Sequence, residues 1–152
     1  MYSKQETAQL KKEFWTALGQ YLAPLPSAEG NKINWINYKT GEKHIHFRTE
    51  ADNRSATIGI ELSHPDSGIR QLYFEQFLQY KMVLEEVTGE EWTWQLHTEE
   101  GVKAVSKIYT GKQEVSVFKR EDWPQLISFF KPRLIALDEF WSRVKYGFEA
   151  LR

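Results

Sequence analysis

The residues from Ile33 to Ser63 constrain the fold more than any other stretch. Apolar and polar side chains alternate through them, and a strand sends successive side chains to opposite faces. Turn-forming pairs at Thr40-Gly41 and Asp52-Asn53 cut the stretch into three short runs, which predicts an antiparallel meander. If each turn is a two-residue loop, Ile36 faces Ile45, Phe47 faces Ile58 and Ile45 faces Ile60. The other face then carries Trp35, Asn37, Glu42, His44, His46, Arg48, Thr57, Gly59, Glu61 and Ser63. Polar groups gather there, and Gly59 reads as space left opposite His46 for a large side chain or a ligand.

Helical periods flank the meander. Ser3 and Glu6 have capping-box spacing, and Leu10, Phe14, Ala17, Leu18 and Tyr21 share one face until Pro24 and Pro26 end the helix. Asp66 or Ser67 is placed to cap a second helix, whose stripe of Ile69, Leu72, Tyr73, Phe77, Tyr80, Leu84 and Val87 runs to Thr88, with Gly89 as a left-handed cap. Trp92, Trp94 and Leu96 alternate with polar residues as a fourth strand. Glu99-Glu100-Gly101 predicts a hairpin into a fifth strand ending near Tyr109, and Val115 to Phe118 a short sixth. Asp122 with Gln125, and Pro124 in the first turn, start the last helix. Its stripe is Ile127, Phe130, Leu134, Leu137, Trp141, Val144 and Phe148. The stripe keeps its phase across Pro132, which predicts a kinked but continuous helix. A seam of this spacing can also pair two copies of the chain as a homodimer.

Composition excludes several classes of function. The chain of 152 residues fits a single domain spanning 1–152, and 20 basic against 21 acidic residues leave a net charge of −1, so no global field draws it to nucleic acid or lipid. With no cysteine there is neither a thiolate nucleophile nor a Cys-ligated metal. The opening residues MYSKQETAQLKKEF lack the apolar segment of a signal peptide, and the chain is expected to be cytoplasmic and to meet no membrane. Six Trp, seven Tyr and nine Phe point to a heavily packed core.

Phe14-Trp15, INWINYKTG (33–41), WTWQLH (92–97) and ISFFKPRLIALDEFW (127–141) resemble stretches of the bacterial domain-of-unknown-function family DUF4268. The resemblance implies a bacterial origin and, in some relatives, fusion behind other modules; it brings no activity and no catalytic residues. The element order is also similar to the core of the restriction-endonuclease-like, PD-(D/E)XK nucleases. That likeness implies Mg²⁺ or Mn²⁺ held by Glu42 and by Glu61 of the Glu61-Leu62-Ser63 triplet, assisted by Glu13. The chain departs from the pattern: Ser63 stands where the family has a Lys, and no Pro-Asp pair precedes the second strand.

His44 and His46 leave the same strand face, with His44 opposite Glu61, and His97 could add a third ligand for zinc. No helix-borne H-E-x-x-H accompanies them, and a cross-strand His–Glu pair is the simpler account. Trp35 and Arg48, with Lys39 and Lys43, could stack and neutralise a single-stranded nucleic acid. The reading that follows is an α+β chain with an antiparallel or mixed sheet of five to six strands and three helices, in the order α-βββ-α-ββ(β)-α. Its leading function is non-catalytic: a binding or interaction module that meets a protein or nucleic acid through Trp35, His44, His46, Arg48 and Glu61. The alternative is a divergent metal-dependent nuclease using Glu13, Glu42 and Glu61.

Overall fold

In the computed structural model, which describes residues 2–100 and 103–152, the Ser3 hydroxyl accepts from the Glu6 amide at 3.1 Å and the Glu6 carboxylate accepts from the Ser3 amide. This box opens α1 (Lys4–Leu22), which stops before Pro24 and buries Phe14, Leu18 and Leu22. Next come β1 (Ile45–Ala51), β2 (Ser55–Leu62), α2 (Ser67–Gln79) and α3 (Lys81–Thr88). They are followed by β3 (Thr93–Glu100), β4 (Lys103–Gln113) and α4 (Trp123–Val144), with a 3₁₀ turn at Arg120–Asp122 and a 3₁₀ helix at Lys145–Leu151. The described strands form one antiparallel sheet in the order β1-β2-β4-β3.

The architecture is α+β, with four strands and four α-helices described instead of five to six and three. The expected first strand is absent because Asn34 folds its segment into a turn: its carboxamide oxygen accepts from the Ile36 and Asn37 amides at 3.1 and 3.0 Å. Trp35 turns inward and donates its indole N–H to the Leu25 carbonyl at 3.0 Å, so the Ile36–Ile45 pairing does not form. The expected sixth strand is a loop, with Glu114 at φ +61, whose Val115 and Val117 amides bond back to Arg54 and Asp52. The long second helix divides at Tyr80, whose backbone (φ −107, ψ 14) leaves the helical region, so α2 and α3 are separate helices. Gly147 makes room for the Tyr80 side chain, since a Cβ there would fall 2.0 Å from the Tyr80 hydroxyl. The turn expected at Glu99-Glu100-Gly101 falls on Gly101, outside the described residues.

Register carries a second correction. The β1–β2 loop is Asn53-Arg54, one residue later than expected, because Asp52 opens the turn and its carboxylate accepts from both the Arg54 and Ser55 amides at 2.8 Å. Phe47 therefore pairs with Ile60 and Ile45 with Leu62, a slip of two that keeps every side chain on its expected face. At the other end, Asp122 precedes α4 but does not cap it; its carboxylate accepts from the Ser116 amide at 2.9 Å. The helix runs unbroken through Pro132. Its stripe is spent inside the chain, as Phe130, Leu134, Leu137, Trp141 and Val144 are all buried, and Phe148 joins them from the 3₁₀ helix.

All four α-helices contribute to one apolar cluster on the sheet face that carries Ile45, Phe47, Ile58, Ile60, Leu62 and Ile108. Phe77 is fully buried there, its ring against those of Phe140, Trp141 and Phe148. Phe77→Ala is expected to lower the unfolding free energy by about 3–5 kcal/mol, read as a fall in urea midpoint at constant slope. A loss below about 1 kcal/mol would contradict this packing.

Candidate functional site

Strand alternation that buries one face of the sheet sends a second set of side chains outward, and the pairing aligns them in two rows. One row reads His46, Glu61, Lys107 and Gln95; the next reads Arg48, Gly59, Tyr109 and Thr93. None of these residues joins the helix-side cluster. Gly59 is required by a close approach, not by a ligand: a Cβ there would meet the Ile108 carbonyl oxygen at 2.5 Å and Tyr109 Cβ at 2.6 Å. It faces Arg48 in β1, not His46. Beside it lies a notch of about 200 Å³ lined by Arg48, Glu50, Thr57, Glu61, Gln95, Lys107 and Tyr109, together with Ile58, Gly59 and Ile60 of β2.

Four of the five expected binding residues remain near this surface. Arg48 donates from Nε to Glu61 at 3.0 Å, with Arg48 half exposed and Glu61 largely covered. His46, not His44, is the partner of Glu61 across the strands, and its Nε2 lies 3.0 Å from Ser63 Oγ. Loss of solvent pushes the His46 pKa down, Arg48 adds to the fall and Glu61 opposes it. His44 lies before β1 with its ring 4.4 Å from that of His64; desolvation lowers its pKa, helped by His64, Lys43 and His46. Trp35 is the exception, since it is buried in the core.

The nuclease and zinc constellations do not converge. Glu13 is bound to Arg120, Glu42 accepts from Arg152 Nε at 2.8 Å, and Glu61 is held by Arg48. Each carboxylate has its own guanidinium partner. A one-residue bulge in β3 between Gln95 and Thr98 accompanies a contact between His97 Nδ1 and the buried Arg70 of α2, at 3.0 Å. Among the described residues no three His, Cys, Asp or Glu side chains are grouped to hold a metal ion.

A second constellation was missed from the sequence. Asp138 is almost fully buried and accepts from the Tyr38 hydroxyl at 2.6 Å and from the Ala28 amide at 2.7 Å. Burial and this bond push the Tyr38 pKa up. With Lys145, which donates to Glu29 at 2.7 Å, they line a cavity of about 510 Å³ between the 24–41 loop and α4. The signal was present in LIALDEFW: Asp138 lies four residues after Leu134 and three before Trp141, an acid on an apolar stripe. Two of the stretches that carry the family resemblance meet at this cavity.

The chain belongs to the family described as a domain of unknown function, DUF4268, whose model matches residues 10–145. No curated protein and no solved structure matches it. Among the described residues no helix is long and apolar enough to cross a membrane.

Two outcomes test this geometry. Tyr38→Phe strips the buried Asp138 of a donor and is expected to cost about 1–3 kcal/mol in urea unfolding, whereas a neutral result would contradict the bond. His44 and His46 have folded pKa values below the unfolded value, so the unfolded chain takes the proton first. Their contribution is complete above the ordinary imidazole pKa of about 6.5 and is lost as the pH falls through it toward the folded values. The urea midpoint is expected to be lower at about pH 5 than at about pH 7.5, with a smaller gap in a His44→Gln/His46→Gln variant. An unchanged gap would contradict the assignment.

Proposed function

We propose that this member of the DUF4268 family is a non-catalytic binding module, acting as one domain, that holds an extended polypeptide across the open face of its sheet. The observation that supports this reading is the notch at Gly59, a depression in a polar face that lies outside the helix-packed core. The charges favour a polypeptide over a nucleic acid. Glu50 and Glu61 stand beside Arg48 and Lys107 in the same depression, so carboxylates offset the cations that a phosphate backbone needs. A peptide brings charges of both signs, amide donors and acceptors for Gln95 and Thr57, and side chains to lie against Tyr109. The separate arginine partners of Glu13, Glu42 and Glu61 give the metal-dependent nuclease reading no observation in its favour.

Panning a displayed library of random peptides against the folded chain tests the proposal. Enriched peptides are expected to lose about tenfold or more in affinity with Tyr109→Ala and with Arg48→Ala, each checked for unchanged circular dichroism. Peptides that bind both variants as well as the parent would overturn the sheet-face reading. Oligothymidylate binding that is lost in the same variants would replace the peptide with nucleic acid. Saturable Mn²⁺ heat abolished by Glu61→Ala would revive the nuclease alternative.

A further inference from the structure

We infer that the chain has a second binding site, for a nucleotide, in the cavity between the 24–41 loop and the end of α4. Its volume of about 510 Å³ lies within the range of roughly 300–1,000 Å³ typical of small-molecule sites. The lining carries both acceptors and cations. The buried Asp138 carboxylate has about four acceptor positions; Tyr38 and the Ala28 amide occupy two of them. Lys32 and Lys39 are exposed and make no ion pair among the described residues, and Lys145 shares its charge with Glu29. Among the described residues the Asn31 and Asn37 carboxamides line the same space without a hydrogen bond of their own, although the Asn37 backbone closes the Asn34 turn.

Folding accounts for Trp35, Tyr38, Asp138 and Trp141, which are packed or bonded to the loop and helix. It does not account for the side chains of Asn31, Lys32, Asn37 and Lys39. A ligand that complements this lining offers hydrogen-bond donors together with a dense negative charge. A nucleoside phosphate whose base carries an exocyclic amine does so: the amine meets Asp138 and the carboxamides, and the phosphate meets the lysines. A free amino acid also carries both but leaves most of the cavity unfilled. The nucleotide is either a free monophosphate or the end of a single strand, and these sources separate in the titration.

Calorimetric titrations of the intact chain with AMP, CMP, GMP, UMP, inorganic phosphate and single-stranded pentanucleotides test the site. At least one amine-bearing monophosphate, or a pentanucleotide containing that base, is expected to bind saturably and more tightly than phosphate or UMP. Lys32→Ala/Lys39→Ala should weaken it about tenfold without changing the circular dichroism. Asn37→Ala should narrow the preference over UMP. A response to the monophosphate identifies the free nucleotide; a response to the pentanucleotides alone, lost in the lysine variant, identifies a strand end. No saturable binding by any of these probes would overturn the site, as would binding indifferent to the lysine variant or UMP and phosphate binding as tightly as every amine-bearing probe. Because the sheet face lies elsewhere on the chain, none of these outcomes bears on the peptide proposal.

Discussion

The indole of Trp141 is the point on which the other parts of the chain converge. Its ring lies edge-on to Phe47 of β1 and packs against Phe77 of α2 and Phe148 of the 3₁₀ helix. Its N–H donates to the Thr40 carbonyl at 2.8 Å, which fastens the loop that leads into the sheet. A buried aromatic contributes both area and one polar group that must find a partner, and here that partner sits on the loop. One residue of α4 therefore ties the helix layer both to the sheet and to the loop that leads into it.

That one-sided packing decides what is left for function. Phe47, Ile58, Ile60 and Ile108 face the helices, so Arg48, Thr57, Glu61, Lys107 and Tyr109 face away from them. The sheet's inner face is saturated with apolar contacts and can hold only more of the same. Its outer face keeps polar groups in two aligned rows with a notch where Gly59 brings β2 and β4 together. The loop fastened by Trp141, Trp35 and Asp138 makes the second concave surface, and both surfaces are by-products of how the aromatic layer is held.

Much of this was legible in the sequence, for reasons that can be named. Alternation at Ile45, Phe47, Ile58, Ile60 and Leu62 gave the correct inner face, because a slip of two residues does not change which side a strand residue occupies. The Ser3–Glu6 box and Gly89 marked helix ends through local hydrogen bonds and a local φ, which a short window contains. What failed depended on distant partners. The Asn34 turn imitates a strand in its pattern, and Trp35 is drawn inward by a carbonyl ten residues back. The Tyr80 side chain at the α2–α3 break is seated against Gly147, some 67 residues further on. Of the proposed site, Arg48, His46 and Glu61 were readable from parity, but Lys107 and Tyr109 needed the β2–β4 register, and the Asp138–Tyr38 bond spans 100 residues.

The claim that the sheet is covered on one side and open on the other is tested most directly by thiol reactivity, since the chain contains no cysteine of its own. Single cysteines at Arg48 and Thr57, on the outer face, and at Ala51 and Ala56, on the inner, would be titrated with a maleimide under native conditions and again in urea. The account requires Arg48→Cys and Thr57→Cys to react in the native state nearly as fast as in urea, while Ala51→Cys and Ala56→Cys react only after unfolding. Equal protection at all four positions would mean that something covers the outer face, and the proposed docking surface would have to be abandoned.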